Sequence, residues 1–274
     1  MFSPDLFRGT LRIWRTPFVW WPIGLFLYVF VDGWLISVIA RSLNVAEVMS
    51  AMPDVMLQTF MGTGASPDLA RGPYGGFLFY FSGVFLGIGP ILAALFAMFI
   101  APGLLAGEWE RGTLDTLLAR PLPRRAYVLT RFAVFVAVAT TTALVVLLAH
   151  VLVIGPIAAF DVPLRGVLLA LLAWWLIAVA FGAIGFLIAA ARLSAGAGSA
   201  AVLALLLAML VLNVAALTSD AARPLAEISF FKHWRPLDML FKEVAEAAAF
   251  ALPAGVAVLG LAAAVLVFER RDLI

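Results

Sequence analysis

The sequence predicts an all-α integral membrane protein that crosses the bilayer six times as a single transmembrane domain, residues 1–274. Hydrophobic residues make up 65% of the chain, against about 45–50% in soluble domains, and the mean hydropathy is +1.10. The apolar residues form long uncharged runs, and a helix needs about 20 apolar residues to cross the hydrocarbon core. A transmembrane β-barrel would instead show short segments of alternating polarity.

The uncharged runs define the spans in chain order, at about residues 18–40, 77–106, 127–153, 165–191, 196–218 and 247–268. The second span is longer than the core requires, so we expect it to tilt or to bend at its glycines and prolines: Gly87, Gly89, Pro90, Pro102 and Gly103. Arg192 is the only charge in residues 166–219. With Ser194, Gly196 and Gly198 it marks the turn between the fourth and fifth spans.

The N-terminal segment, about residues 3–16, is predicted to be an amphipathic helix. Its apolar residues share one arc at helical spacing: Leu6, Phe7, Leu11, Ile13 and Trp14. Its basic residues share the opposite arc: Arg8, Arg12 and Arg15. This pattern is typical of an interfacial, or elbow, helix on the inner leaflet, which would bend into the first span at Pro17.

The basic residues predict the orientation. Most of the 18 Lys and Arg residues fall in cytoplasmic segments if both termini are cytoplasmic. That orientation places residues 107–126 in the cytoplasm and the two longest connections, residues 42–76 and 219–246, outside. The arginines form no basic stripe with stacking aromatic residues, so no nucleic-acid partner is expected.

A charged segment, residues 107–126, interrupts the apolar sequence between spans two and three. Gly112 is expected to end the preceding helix, Thr113 to cap a new one and Pro121 to stop it. The leucines of this short helix fall at i, i+3 and i+4: Leu114, Leu117 and Leu118. Charged residues flank them: Glu108, Glu110, Arg120, Arg124 and Arg125. The ridge suits a helix-in-groove contact with a partner, and equally a loop whose leucines rest on the membrane.

The pattern Glu108-x-Glu110-x-Gly112-Thr113-Leu114-x-x-Leu117-Leu118-x-x-Pro121-x-x-Arg124 resembles the signature of ABC-2 type transporter permease subunits. The ending Phe268-Glu269-Arg270-Arg271-Asp272-Leu273 resembles their tails, although Arg131 stands where many members have Lys. The resemblance implies that the segment carries a coupling helix, which docks in a cleft of a separate ATP-binding subunit. It also implies two permease halves, alike or different, two ATPase subunits and a translocation path between the halves.

The sequence contains no phosphate-binding G-x-x-x-x-G-K-[ST] loop, so ATP and Mg are expected in the partner subunit. We expect no catalytic residue, cofactor or metal site in this chain. The absence of Cys excludes a disulfide framework and thiolate metal sites. Met49, Met52 and Met56 share a helical face, which favours an interfacial apolar stripe over a Cu(I) site.

Three polar residues in the spans are candidate intramembrane contacts. Asp32 is either a substrate or ion contact or an interfacial acid, His150 is more typical of a structural histidine, and Asn213 of an interhelical hydrogen bond. Small residues form one face of the fifth span: Gly196, Ala200, Ala204 and Ala208. This face suits either the contact between permease halves or packing within one subunit.

These observations together predict the permease subunit of an ABC exporter in a prokaryotic cytoplasmic (inner) membrane. A self-sufficient secondary transporter usually shows repeated halves and several intramembrane charges. A membrane-embedded enzyme would need paired acids or an H-E-x-x-H motif. The sequence shows none of these features, and it does not indicate the substrate.

Overall fold

The computed structural model of the protein describes residues 3–42, 47, 51–53, 88–114, 122–157 and 164–271. Within these residues the regular structure is helical, without strands, and its bounds are α1 Pro4–Ile13, α2 Arg15–Ser42, α3 Gly89–Glu110, α4 Arg124–Ile157, α5 Leu164–Arg192, α6 Ala195–Thr218, α7 Arg223–Ala226, α8 Phe230–His233, α9 Pro236–Phe241 and α10 Ala248–Glu269. Six of these helices are long and apolar enough to cross a membrane: α2, α3, α4, α5, α6 and α10. The predicted fold class is confirmed.

Helix α5 forms the centre of the bundle and packs against α10, α3, α6 and α4, while α2 packs mainly against α4. A cluster of buried rings joins three helices at this centre. Phe96 of α3 lies 5.6 Å from Phe135 of α4 and 6.1 Å from Trp174 of α5, measured between ring centroids. Because lipid tails are as apolar as these rings, such contacts stabilise the bundle through van der Waals packing.

Glycines allow the helices to approach closely near the start of α6. A Cβ atom on Gly198 would lie 2.7 Å from the Gly185 carbonyl oxygen in α5 and 2.7 Å from Pro102 Cβ in α3. The prediction that Gly196 and Gly198 form the turn is wrong, since α6 begins at Ala195. The turn is made by Leu193, with φ 51°, and Ser194, whose hydroxyl oxygen caps α6 by accepting from the Ala197 N–H.

Helix α1 packs with one face against the bundle, through Leu6, Phe7, Leu11 and Trp14. Ile13, which was predicted on the same arc, is instead 66% exposed, because it lies at the edge of that arc, on the side away from Leu11. The break between α1 and α2 lies at Trp14 and not at Pro17. Pro17 falls in the first turn of α2. The backbone N–H groups of a first turn have no acceptor within the helix, so the N–H that proline lacks costs no helical hydrogen bond.

The connection between α6 and α10 contains the three short helices α7, α8 and α9. Phe230 of α8 is buried against Phe181 of α5, with 5.3 Å between ring centroids, and the Ser229 hydroxyl donates to the Met209 carbonyl of α6 at 3.1 Å. Phe181 lies about 25 Å along α5 from its first residue. This connection therefore folds back to about the middle of the bundle.

Several sequence predictions fall outside the described residues. These are the start of the second span at residue 77, Gly87, most of the segment 42–76 and, apart from Met52, the methionine stripe. Helix α3 as described begins at Gly89, with Pro90 in its first turn, and Pro102 lies inside it.

Candidate functional site

Glu108 lies in the last turn of α3 and is 7% exposed. One carboxylate oxygen accepts from the Arg131 guanidinium of α4 at 3.0 Å and lies 3.1 Å from that of Arg111. The other carboxylate oxygen accepts from the Thr113 hydroxyl. A buried charge is tolerated only when it is paired and hydrogen-bonded, and Glu108 meets both conditions. It joins the end of α3, the charged segment and α4.

Gly112 ends α3 through a left-handed backbone conformation, with φ 68°. Its N–H donates to the Trp109 carbonyl, and the Thr113 N–H donates to the Glu108 carbonyl, each at 2.9 Å. These two bonds form a Schellman motif, in which the residue after the helix is usually Gly because a Cβ disfavours positive φ. The motif turns the chain sharply at the end of α3, within the charged segment.

Leu114 follows this turn, is helical and is 1% exposed, so it packs into the bundle instead of projecting from it. The remaining predicted residues of the short helix lie outside the described residues: Leu117, Leu118, Arg120 and Pro121.

Glu110 connects the end of α3 to the start of α6. Its carboxylate accepts a hydrogen bond from the Ala195 N–H at 2.7 Å. Ala195 is the first residue of α6, where unpaired N–H groups and the helix dipole favour a negative charge. Although Glu110 is exposed, its charge is therefore directed at another helix of the same chain.

Arg124 begins α4 and donates to the Glu269 carbonyl at 3.2 Å and to the Arg271 carbonyl, at the end of α10. Arg271 in turn donates to the Ala191 carbonyl near the end of α5. The Glu269 and Ala191 carbonyls lie in the last turns of α10 and α5, where carbonyls have no partner within the helix, and a cation near a helix C-terminus is stabilising. The two arginines thus fasten the ends of α4, α5 and α10 together.

These polar contacts meet at one end of the bundle, which we call the motif end. We call the set of contacting residues the polar collar: Glu108, Glu110, Thr113, Arg124, Arg131 and Arg271. Three of these residues, Glu108, Glu110 and Arg124, were predicted as flanks of a partner-binding segment and Thr113 as its cap, and the structure gives all four contacts within the chain. By contrast, Gly112 and Arg125 are exposed, and the Arg111 side chain is 51% exposed.

Sequence reasoning gave Arg131 and Arg271 no site role. Both are cations that lie far in sequence from their acceptors, and nothing in the local sequence identifies an acceptor on another helix. The only signal available was a lone Arg in the otherwise uncharged start of a span, since a buried cation requires a partner.

The family model of the ABC-2 family transporter proteins matches residues 79–273. This chain belongs to the ABC-2 transporter family. It is accordingly a multi-pass membrane permease of an ABC transporter, and the family implies partnership with an ATP-binding subunit. No curated protein sequence matches the chain significantly.

Helix α1 of the permease also reaches the motif end. A Cβ atom on Gly103 would lie 2.7 Å from the Trp14 indole, so the ring occupies the groove that this glycine leaves on α3. The Ser3 N–H donates to the Thr130 hydroxyl of α4 at 3.1 Å. The N-terminal helix is thus anchored beside Arg131, on the two helices that flank the charged segment.

The three candidate intramembrane residues do not form one site among the described residues. The side chain of Asp32 lies outside them. His150 is 2% exposed, and its Nδ1 lies 2.8 Å from the Val146 carbonyl oxygen, one turn earlier in α4. Asn213 is half-buried and makes no side-chain hydrogen bond within the described part of the chain. That part also contains no group of three or more His, Asp or Glu residues placed to hold a metal ion.

The small-residue face of α6 is exposed at all four predicted positions: Gly196, Ala200, Ala204 and Ala208. Large apolar residues beside it are also exposed, Val211 by 64% and Val214 by 56%. This face therefore does not pack against the described part of its own subunit.

Proposed function

We propose that this permease is the membrane subunit of an ATP-driven exporter, in which a separate cytoplasmic subunit binds and hydrolyses ATP with Mg. The permease itself supplies no catalytic residue. It lies in a prokaryotic cytoplasmic (inner) membrane with both termini in the cytoplasm, so the motif end faces the ATPase. The observation that carries this proposal is the attachment of the charged segment to the ends of several spans through the polar collar.

The collar supports the proposal because it gives a partner mechanical access to the spans. A force on the charged segment reaches α4 through Glu108 and Arg131, and α6 through Glu110. Arg124 and Arg271 continue the connection to α10 and α5. Each collar joint ends on a charged group, and hydrogen bonds to charged groups are stronger than neutral ones.

The docking surface follows from the exposure of the segment. Leu114 is buried and unavailable to a partner in this conformation, whereas Arg111, Gly112 and Arg125 are accessible. We propose that the ATPase contacts these exposed residues together with Leu117 and Leu118. The basic residues suit an acidic rim on the partner.

Two permease copies are proposed to meet along the small-residue face of α6, with the translocation path at their interface. Gly and Ala let helix backbones approach closely in lipid. Their exposure on α6 leaves this face available for such a contact.

The test is co-purification of the permease with candidate ATP-binding subunits, followed by measurement of ATP-dependent transport. We expect Arg125→Glu and the double variant Leu117→Glu/Leu118→Glu to reduce binding of the ATPase. Arg270→Glu is the matched control, because Arg270 is an exposed arginine at the motif end outside the charged segment. Unchanged binding and coupling in both test variants would contradict the proposed docking surface, and failure of every candidate ATPase to bind the unmodified permease would contradict the function.

A further inference from the structure

The two glutamates of the charged segment point to different helices. Glu108 is buried and bound by Arg131 of α4, whereas Glu110 is exposed and bound by the first N–H of α6. They are separated by one residue, so on α3 they lie roughly 200° apart. One short stretch of α3 therefore reaches two helices on different sides.

We propose that Glu108 and Glu110 are positioning residues that carry the movement of the charged segment separately, Glu108 to α4 and Glu110 to α6. This inference rests on the proposed function, because it concerns how ATP-driven movement of that segment reaches the spans. It changes the assignment of both residues from contacts with the ATPase to contacts within the permease.

Burial supports the assignment of Glu108. A side chain that is 7% exposed and already accepts from Arg131, Arg111 and Thr113 has little surface left for a second protein. Arg111 and Thr113 belong to the turn into the charged segment, whereas Arg131 belongs to α4. A shift of the turn therefore pulls on the same carboxylate that holds α4.

Helix geometry supports the assignment of Glu110. Its hydrogen bond to Ala195 is 2.7 Å long and meets α6 end-on, at the positive end of the helix dipole. Helix α6 is exposed along one side, which carries the small-residue face. The first turn of α6 also packs closely on α5 and α3 at Gly198, so a displacement that starts there moves α6 against these two helices.

The experiment uses the complex of the permease and its ATP-binding subunit in lipid nanodiscs. Hydrogen–deuterium exchange is measured by mass spectrometry with and without Mg-ATP plus vanadate. The readout is the nucleotide-dependent change in exchange rate at the first turns of α4 and α6, together with co-purification and ATP hydrolysis. A purely structural role would alter exchange equally in both nucleotide states.

For Glu110→Ala we expect the nucleotide-dependent change at α6 to fall by about 2- to 30-fold, with the change at α4 and ATPase binding retained. Glu110→Gln keeps an oxygen that accepts from Ala195 and should restore most of the response. Glu108→Gln should give the converse pattern, with the loss at α4. Glu269→Ala is the control, since Glu269 is exposed at the motif end and only its backbone carbonyl contacts Arg124.

The inference is overturned if Glu110→Ala and Glu108→Gln respond to nucleotide as the unmodified complex does, or if both variants lose ATPase binding while Glu269→Ala retains it. In these cases the proposed function would stand. If the unmodified permease binds no ATPase, or shows no nucleotide-dependent change, the proposed function fails and this inference fails with it.

Discussion

Replacing Gly198 by Ala tests how closely three helices meet near the motif end. The added methyl would lie 2.7 Å from the Gly185 carbonyl oxygen and 2.7 Å from Pro102 Cβ. Both are backbone or ring atoms, so no rotamer change relieves the contact. Since comfortable contacts between carbon atoms are about 3.5–4.0 Å, the helices would have to separate by roughly 1 Å.

The expected cost of Gly198→Ala combines two opposed effects. Overpacking costs about 1–3 kcal/mol, whereas the change from Gly to Ala within a helix gains about 0.8–1.0 kcal/mol. Gly255→Ala is the matched control, because Gly255 lies inside α10 and a Cβ there would meet no heavy atom within 4 Å. The free energy of unfolding of the two variants should therefore differ by about 1–3 kcal/mol, the packing contribution alone.

Thermal unfolding of the purified permease in nanodiscs, followed by the fluorescence of its 8 Trp residues, measures this difference. We expect the midpoint of Gly198→Ala to fall below that of Gly255→Ala. Equal midpoints for the two variants would refute the close approach of α3, α5 and α6.

Three further substitutions probe other contacts. Arg131→Met should lower the free energy of unfolding by up to about 3–5 kcal/mol, because Glu108 loses its buried partner; the remaining pair with Arg111 reduces this loss. Arg131→Lys keeps the charge and should lower the free energy of unfolding less. Equal losses of stability in the two variants, measured by thermal unfolding, would contradict an electrostatic role. Trp14→Ala should weaken the packing of α1 on Gly103 of α3, and trypsin should then cleave faster after the arginines of α1. An unchanged cleavage rate would contradict a role of the Trp14 ring in holding α1. Ser229→Ala should lower the free energy of unfolding by about 1 kcal/mol and speed amide exchange in α8, because the hydrogen bond to the Met209 carbonyl of α6 is lost. Unchanged amide exchange would show that this bond does not hold α8.

Hydropathy alone could predict the six spans, because apolar runs long enough to cross a bilayer have few alternatives. The end of α3 at Gly112 could also be predicted from the sequence, since a Schellman motif usually has a glycine directly after the helix. Arg192 and Ser194 marked the turn before α6 closely, but Gly196 and Gly198 were wrongly assigned to it, because glycine has two uses. At Gly198 it permits close helix contact, and only the packing of α5 and α3 shows which use applies.

The charged segment shows the same limit in its site residues. Its sequence predicts where charges lie, but not whether an acceptor belongs to another protein or to a distant part of the same chain. Glu110 and Arg124 bind helix ends that lie 85 and more than 100 residues further along the sequence. Such partners become apparent only when the helices are assembled.

The buried guanidinium of Arg131 is the least satisfied group of the collar. Its Nε and one Nη have no hydrogen-bond partner among the described residues, although the guanidinium carbon lies 5.2 Å from the centre of the Tyr127 ring, whose face attracts cations. The Tyr127 hydroxyl donates to the Leu105 carbonyl of α3, and its ring stacks on Phe268 of α10. Arg131 is therefore held between a carboxylate on one side and a fixed aromatic ring on the other. Because unmade hydrogen bonds in a buried group are costly, a Lys here, which keeps the charge with fewer buried donors, should cost less than the loss of the cation in Arg131→Met.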